Sequence, residues 1–334
     1  MTESTVLAEY SRGGILESRH AGSVAVARAD GTLVAWAGDP DRITYARSAM
    51  KPFQAVAMVE TGAADRFAFT TEELSVSCAS HNGEERHRRV VAGMLERMGL
   101  PVSALRAGDD EHHDEPPTSW DADKQLAQNC SGKHAGMLAA CLAAGYPIET
   151  YDDFEHPHQV NIKNLVAEFW QMSPGDMIAG RDNCTLPAYA APLRNLAIGW
   201  AALADPERGA KAHADVVRRV TGAMGAEPFM VAGTGRLNTD LMRVTGGRIV
   251  AKDGAEGVLC MALTDLGLGI SFKIEDGTFR SHQAITLALL EQLDAVNDDE
   301  LAQLRTLWRS DLRSNRDHHV GDVSAVFELH RPSV

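Results

Sequence analysis

No apolar run in the sequence approaches the roughly 20 residues that a helix needs to cross a bilayer. The stretch Met1 to Arg12 holds no basic segment followed by an apolar core, so no secretory signal is visible. There is no long Pro or Ser tract and no internal repeat, which points to an ordinary globular protein. Cys-x-x-Cys pairs are missing. The five cysteines (Cys78, Cys130, Cys141, Cys184, Cys260) are odd in number and widely scattered. Without an export signal they read as thiols or metal ligands, not disulfides. Positive charge is in deficit: 32 Lys and Arg face 46 Asp and Glu, a net charge of −14. That argues against a nucleic-acid or anionic-membrane partner, although a local site can still oppose the global charge and take an anionic small substrate. These features together predict a cytoplasmic protein.

What is present is a chain of 334 residues, 44% of them hydrophobic. One large domain or two interlocked ones is expected. Residues 23–36 alternate and break at Asp30-Gly31, a two-residue hairpin signal, and a strand around Val6–Tyr10 joins the same sheet. A helix framed by Pro52 and Gly62 follows. Further helices are expected from Thr71 to Cys78 and from Asn82 to Gly99. Residues 107–120 read as a solvated acidic loop, since Pro116-Pro117 breaks any regular ligand spacing. Segments 131–144, 157–171, 189–203 and 208–224 carry helical apolar spacing. Strands return at 247–252 and 269–274, then helices at 281–294 and 298–311, with a last strand at 323–329. The order predicts an α/β (α+β) fold. Its largely antiparallel sheet comes from the N- and C-terminal segments, is flanked by helices, and is interrupted by an inserted all-helical region. The expected boundaries are 1–102 with 229–334 for the α/β domain and 103–228 for the helical domain, with the active site at their interface.

Three short motifs fall in a suggestive order: Ser48-Ala-Met-Lys51, Ser80-His81-Asn82 and Lys252-Asp253-Gly254. A serine one helical turn from a lysine builds a nucleophile without histidine, because a neutral amine can take the hydroxyl proton. Ser48 is expected at the N-cap of its helix. An isolated lysine is protonated at neutral pH, so burial and a second ammonium are needed to free one amine. Lys51 and Lys252 meeting across the site would provide that, with Lys51 buried and short of one proton. Lys273, on a nearby predicted strand, is the other candidate for the Lys252 role. The order is similar to the S-x-x-K, S-D-N and K-T-G set of class A β-lactamases and penicillin-binding proteins. His81 and Asp253 depart from it, which puts β-lactam substrates in doubt. The Gly233-Thr-Gly235-Arg-Leu-Asn238 run lacks the third glycine of a dinucleotide fingerprint and is rejected as one. From spacing alone, Cys130 and Cys184 read as buried free thiols.

Four longer stretches go further. Ser48-Ala-Met-Lys51-Pro-Phe-Gln, Ser77-Cys-Ala-Ser80-His81, Asn129-Cys130-Ser-Gly-Lys133-His134-Ala-Gly-Met and Gly180-Arg-Asp182-Asn-Cys184 closely resemble the class 3, rhizobial-type L-asparaginases. So do Val231-Ala-Gly-Thr-Gly-Arg and Ala251-Lys252-Asp-Gly-Ala-Glu-Gly257. The resemblance runs along essentially the whole chain. It implies a serine-β-lactamase-like fold and hydrolysis of L-asparagine to L-aspartate and ammonia. It implies two Ser–Lys tandems, Ser48 with Lys51 and Ser80 with Lys252. It further implies Zn2+ held by Cys130, Lys133 and Cys184, with water completing the shell and Asp182 beside it. The serine pairs form a complete acyl-transfer apparatus, so an orienting or structural zinc is expected. Arg47, His81, Asn82 and Asp182 are the expected substrate-binding residues, and a homodimer is expected. The alternatives are a β-lactamase- or DD-peptidase-like hydrolase, or another amide serine hydrolase, and a non-enzymatic zinc-binding protein in which Ser48 only caps a helix. Preference between asparagine and glutamine does not follow from the residues.

Overall fold

The computed structural model describes residues 3–108 and 121–332. The acidic loop expected at 107–120 lies outside them, apart from Ala107 and Gly108. The main sheet has eight strands, and every pairing is antiparallel. They are β1 (Thr5–Arg12), β2 (Ile15–Arg28), β3 (Leu33–Ala37), β7 (Ile249–Gly254), β8 (Val258–Leu263), β9 (Leu268–Ile274), β10 (Asp311–Arg313) and β11 (His319–Ala325). The order is β10-β11-β1-β2-β9-β8-β7, with β3 also paired to β2. The N- and C-terminal segments therefore meet in one antiparallel sheet, and the α/β class is the one the chain adopts.

Both faces of this sheet are covered. In β8 the side chains of Leu259, Met261 and Leu263 enter one core with Ile285, Leu289 and Leu304 from two C-terminal helices. Val258, Cys260 and Ala262 face the opposite core, which holds Phe53, Trp170 and Trp200. The helix Leu193–Ala204 lies directly on β9 and β2 on that second face. The approach is close because Gly269 has no side chain: a Cβ there would fall 2.0 Å from Ala197 O and 2.2 Å from Ala201 N.

Several local expectations shift. The Asp30-Gly31 hairpin is joined by residues 29–32, with Gly31 at φ 89° and Asp30 Oδ1 accepting from Thr32 N–H at 3.0 Å. The last strand ends at Ala325, since the chain beyond it returns to Trp36 by a single bridge at His330. The inserted region is not wholly helical. It contains β5 (Ile178–Arg181) and β6 (Pro187–Pro192), which pair with β4 (Ile43–Tyr45) in a three-stranded sheet ordered β4-β6-β5. The helical reading of 189–203 therefore holds only from Leu193. No described helix is long and apolar enough to cross a membrane.

Candidate active site

The small sheet is what assembles the site. Strand β4 ends just before Arg47-Ser48, and β5 ends just before Asp182-Asn183-Cys184. Both strands flank β6, and Ala46 N–H donates to Tyr189 O at 3.1 Å. Segments some 135 residues apart thus become neighbours, and Arg47 grips Asp182 Oδ1 through Nε at 3.0 Å and Nη2 at 2.8 Å. Arg47 itself sits at φ 50°, a left-handed conformation unusual for a side-chain-bearing residue. It opens a short 3-10 turn, Arg47–Met50, that carries Ser48 into the helix Lys51–Glu60. Ser48 is therefore not a helix N-cap. The N-cap position of the following helix is Met50, and neither element has a side-chain cap. The Ser48 side chain is half-buried, and its hydroxyl makes no hydrogen bond among the described residues.

Lys51 is 1% exposed, as a catalytic amine requires. Its Nζ donates to Ser80 Oγ at 2.8 Å, to Cys130 Sγ at 3.1 Å and to the Ala79 carbonyl. Ser80 follows the helix Thr71–Val76, where residues 80–82 run between two walls. Ser80 N–H donates to Val231 O at 2.9 Å, His81 N–H to Asn129 O at 3.1 Å, and Asn82 N–H to Ala232 O at 2.9 Å. This clamp sets Ser80 beside the Asn129-Cys130 start of the helix Ser131–Ala144.

Lys252 lies on edge strand β7 and is completely buried. The strand packs against the Ser48 turn, closely enough that a Cβ on Gly254 would fall 2.5 Å from Ala46 O. Lys252 Nζ donates to the Asp253 backbone carbonyl at 2.7 Å and to the Asp253 carboxylate. It makes no hydrogen bond to Ser80; Lys51 occupies that place. Burial pushes the Lys252 amine down to about 8, against the opposing pull of Asp253 and with the help of the Lys51 charge. Lys273 is engaged elsewhere, with the Glu256 and Ile274 carbonyls.

The remaining expected binding residues divide. His81 is buried, with Nδ1 accepting from Gly83 N–H at 3.0 Å and Nε2 meeting Ser131 Oγ at 3.1 Å. Both ring nitrogens are thus used within the chain, and the ring stacks on His87 at 4.7 Å. Burial, His87 and Lys51 hold it neutral. Exposed Asn82 donates to Thr234 O at 3.0 Å and accepts from Arg236 Nη1 at 2.9 Å. Arg236 also reaches Asp253 Oδ2 at 2.6 Å, and Asn238 reaches Asp253 Oδ1 at 2.6 Å. These two residues belong to the glycine-containing run rejected as a nucleotide fingerprint. Their role as partners of Asp253 had no local sign in the sequence, because it depends on strand β7 lying beside them.

Cys130, Lys133 and Cys184 are all buried and come together, with Lys133 Nζ donating to Cys184 Sγ at 3.0 Å. A hydrogen bond from Cys130 holds the Cys184 thiol well below its usual range against burial, and the Lys133 ammonium adds to this. The same bond, with burial and the Cys184 charge, pushes Cys130 up to about 12. Burial disfavours the Lys133 charge, but the two sulfurs and Asp182 outweigh it and raise its pKa. Lys133 sits in the first helical turn, where a cation is disfavoured by the helix dipole. Two sulfurs and one amine at that position suit a thiophilic ion such as Zn2+, which would release protons on binding. Among the described residues no group of three or more His, Cys, Asp or Glu side chains is placed to hold a metal; here the third donor is a lysine.

A family model described as L-asparaginase II matches residues 8–325. The chain belongs to the L-asparaginase II family. No curated protein matches the sequence. Among solved structures, this L-asparaginase II family member is similar to Mglu in its native form in 4.3 M NaCl. The two are 16% identical over 83% of this chain and 62% of that one, with a TM-score of 0.45. It is also similar to a β-lactamase from Mycobacterium bovis, 17% identical over 81% of this chain and 94% of that one, with a TM-score of 0.40. The chain therefore spans less than two thirds of the Mglu chain.

Proposed function

We propose that this protein hydrolyses L-asparagine to L-aspartate and ammonia through an acyl-enzyme on Ser48. The observation that carries this reading is the buried Lys51, hydrogen-bonded to Ser80 and one turn from Ser48, whose hydroxyl makes no hydrogen bond among the described residues. Ser48 Oγ attacks the side-chain carboxamide carbon, and its proton passes to the Lys51 amine in the fraction of enzyme where that amine is neutral, with Ser80 as the next hydroxyl of the relay. The Ser48 amide contributes to the oxyanion site. The C–N bond breaks, the proton goes to the leaving nitrogen, and ammonia departs. Water then hydrolyses the ester and restores the Ser48 hydroxyl. Lys252, with its pKa near 8, supplies a second amine able to exchange a proton close to neutral pH.

Cys130, Lys133 and Cys184 would hold Zn2+, which supplies a fixed positive charge beside the substrate pocket when bound. Arg47, Asn82 and Asp182 would position the substrate, and His81 would act by holding the 80–82 segment. The α/β unit of 1–102 with 229–334 and the helical unit of 103–228 would meet at this site. A homodimer in the cytoplasm fits the family resemblance and the acidic composition.

A coupled ammonia assay tests the reading, run with asparagine, glutamine and a chromogenic β-lactam on the wild type and Ser48→Ala. Ammonia from asparagine, lost in Ser48→Ala, is expected. Rapid β-lactam opening without asparagine turnover would favour the β-lactamase-like alternative instead.

A further inference from the structure

The face of the main sheet turned away from Ser48 carries a cavity. Its volume is about 350 Å3, and its lining includes Arg236, Asn238, Asp253, Phe279, His282 and Gln283. Strand register places it: Lys252 pairs with Cys260, in the core that faces Phe53, whereas Asp253 pairs with Leu259, in the opposite core. Asp253 thus faces the cavity and Lys252 the serine side of β7, and the two meet where Lys252 Nζ donates to the Asp253 carboxylate.

Its walls hold buried polar atoms without partners. Among the described residues, Asn238 is 1% exposed and its Oδ1 accepts no hydrogen bond, and His282 is 3% exposed with neither ring nitrogen hydrogen-bonded. The Val258 and Phe279 backbones flank the ring without reaching hydrogen-bond geometry. Native proteins rarely leave such groups unpaired. The eleven-residue helix His282–Gln292 begins at this cavity, and its N-cap Ser281 makes no side-chain cap. A helix start of this kind favours an anion. Charge on the walls agrees. The Asp253 carboxylate is already shared by Lys252, Arg236 and Asn238, and half-exposed Arg236 keeps donors to spare. Burial holds His282 neutral, with its pKa lowered to about 4. Leu237, Leu259 and Phe279 add an apolar wall.

We propose that this cavity binds a small α-amino or α-hydroxy acid. Its carboxylate meets Arg236 and the start of the His282 helix, and its amino or hydroxyl group donates to Asn238 Oδ1. The cavity takes a ligand of this size, and its one apolar wall receives the Cα substituent. Arg236 joins it to Asn82 in the Ser80 segment, and Asp253 joins it to Lys252.

Calorimetric titration with glycine and with L-lactate tests the site, since neither carries a side-chain amide. Wild type is expected to bind one of them saturably. Gln283→Trp fills the cavity from its half-buried lip and should abolish that binding while leaving asparagine kcat and KM unchanged. His282→Leu should weaken it at least about tenfold. Absence of binding in the wild type, or undiminished binding in a folded Gln283→Trp, would overturn the proposal. Wild-type crystals soaked in L-lactate give an answer that needs no variant. Density beside Asn238 and Arg236 supports the site, and an empty cavity there refutes it.

Discussion

Lys51 donates to Ser80 Oγ at 2.8 Å, although the motif spacing pairs it with Ser48. Lys51 thus contacts the second serine and lies three residues along the chain from the first. On the proposed mechanism Ser48 attacks and Ser80 passes a proton onward. The arrangement gives the serines unequal jobs, and their alanine variants should differ in kind. Ser48→Ala should lower asparagine turnover by about a thousandfold or more and leave no covalent adduct. Ser80→Ala should slow both half-reactions by a smaller factor, on the order of 10- to 100-fold, while an adduct still forms on Ser48. Mass spectrometry of the quenched enzyme distinguishes them. An adduct retained in Ser48→Ala would move the nucleophile to Ser80.

The metal proposal separates in the same way. Cys184→Ser removes the sulfur that Lys133 contacts at 3.0 Å and should leave the protein folded but without stoichiometric zinc. If the ion orients substrate, KM rises by about tenfold or more with kcat less affected. Elemental analysis and steady-state kinetics on the same preparation check this. A collapse of kcat at unchanged KM would place the metal in the chemistry.

How much of this was legible beforehand varies with the range of the interaction. Ser48 and Lys51 share a turn, so their relation is local and visible. The hydrogen bond of Lys51 to Ser80 depends on how the Thr71–Val76 helix is packed, and residue order carries no sign of it. Strand β8 was missed for a different reason. Val258-Leu-Cys-Met-Ala-Leu263 is buried on both faces, so its period of two disappears into a continuous apolar run. The β1–β2 hairpin has a usable sign in Gly13-Gly14, both at positive φ. The three-stranded sheet that joins Arg47 to Asp182 was hidden because β4 has only three residues and β6 contains two prolines. The convergence of Cys130, Lys133 and Cys184 was legible only through family resemblance. Lysine is an uncommon ligand, and no spacing rule includes it.

The close contact at Gly269 makes a stability prediction independent of activity. The atoms that a Cβ would meet, Ala197 O and Ala201 N, are backbone and cannot swing aside. Gly269→Ala must therefore push the Leu193–Ala204 helix off the sheet. The expected cost is about 3 kcal/mol or more, read as a lower midpoint in denaturant titration. A midpoint unchanged from wild type would show that the helix and strand are less tightly apposed than the structure has them.

The Lys252–Asp253 pair yields a signed pH prediction. Lys252 in the folded chain has its pKa near 8, below the ordinary 10.5, so burial makes the proton easier to lose than in the unfolded chain. Between those two values the unfolded state binds more protons, and stability attributable to this lysine rises with pH, the opposite of an amine stabilised as a cation. Activity should follow the neutral amine. If Lys252 accepts a proton, kcat/KM climbs with pH and levels off above about 8, because the amine is mostly deprotonated there. Asp253 is the group that opposes this by favouring the charged form. Asp253→Asn removes that charge and leaves the Arg236 cation unneutralised beside Lys252. Both changes lower the lysine pKa further, so the rising limb should move to lower pH in Asp253→Asn. A limb that stays in place would mean that the titrating group is not Lys252, and a limb that moves upward would contradict the electrostatics of the pair.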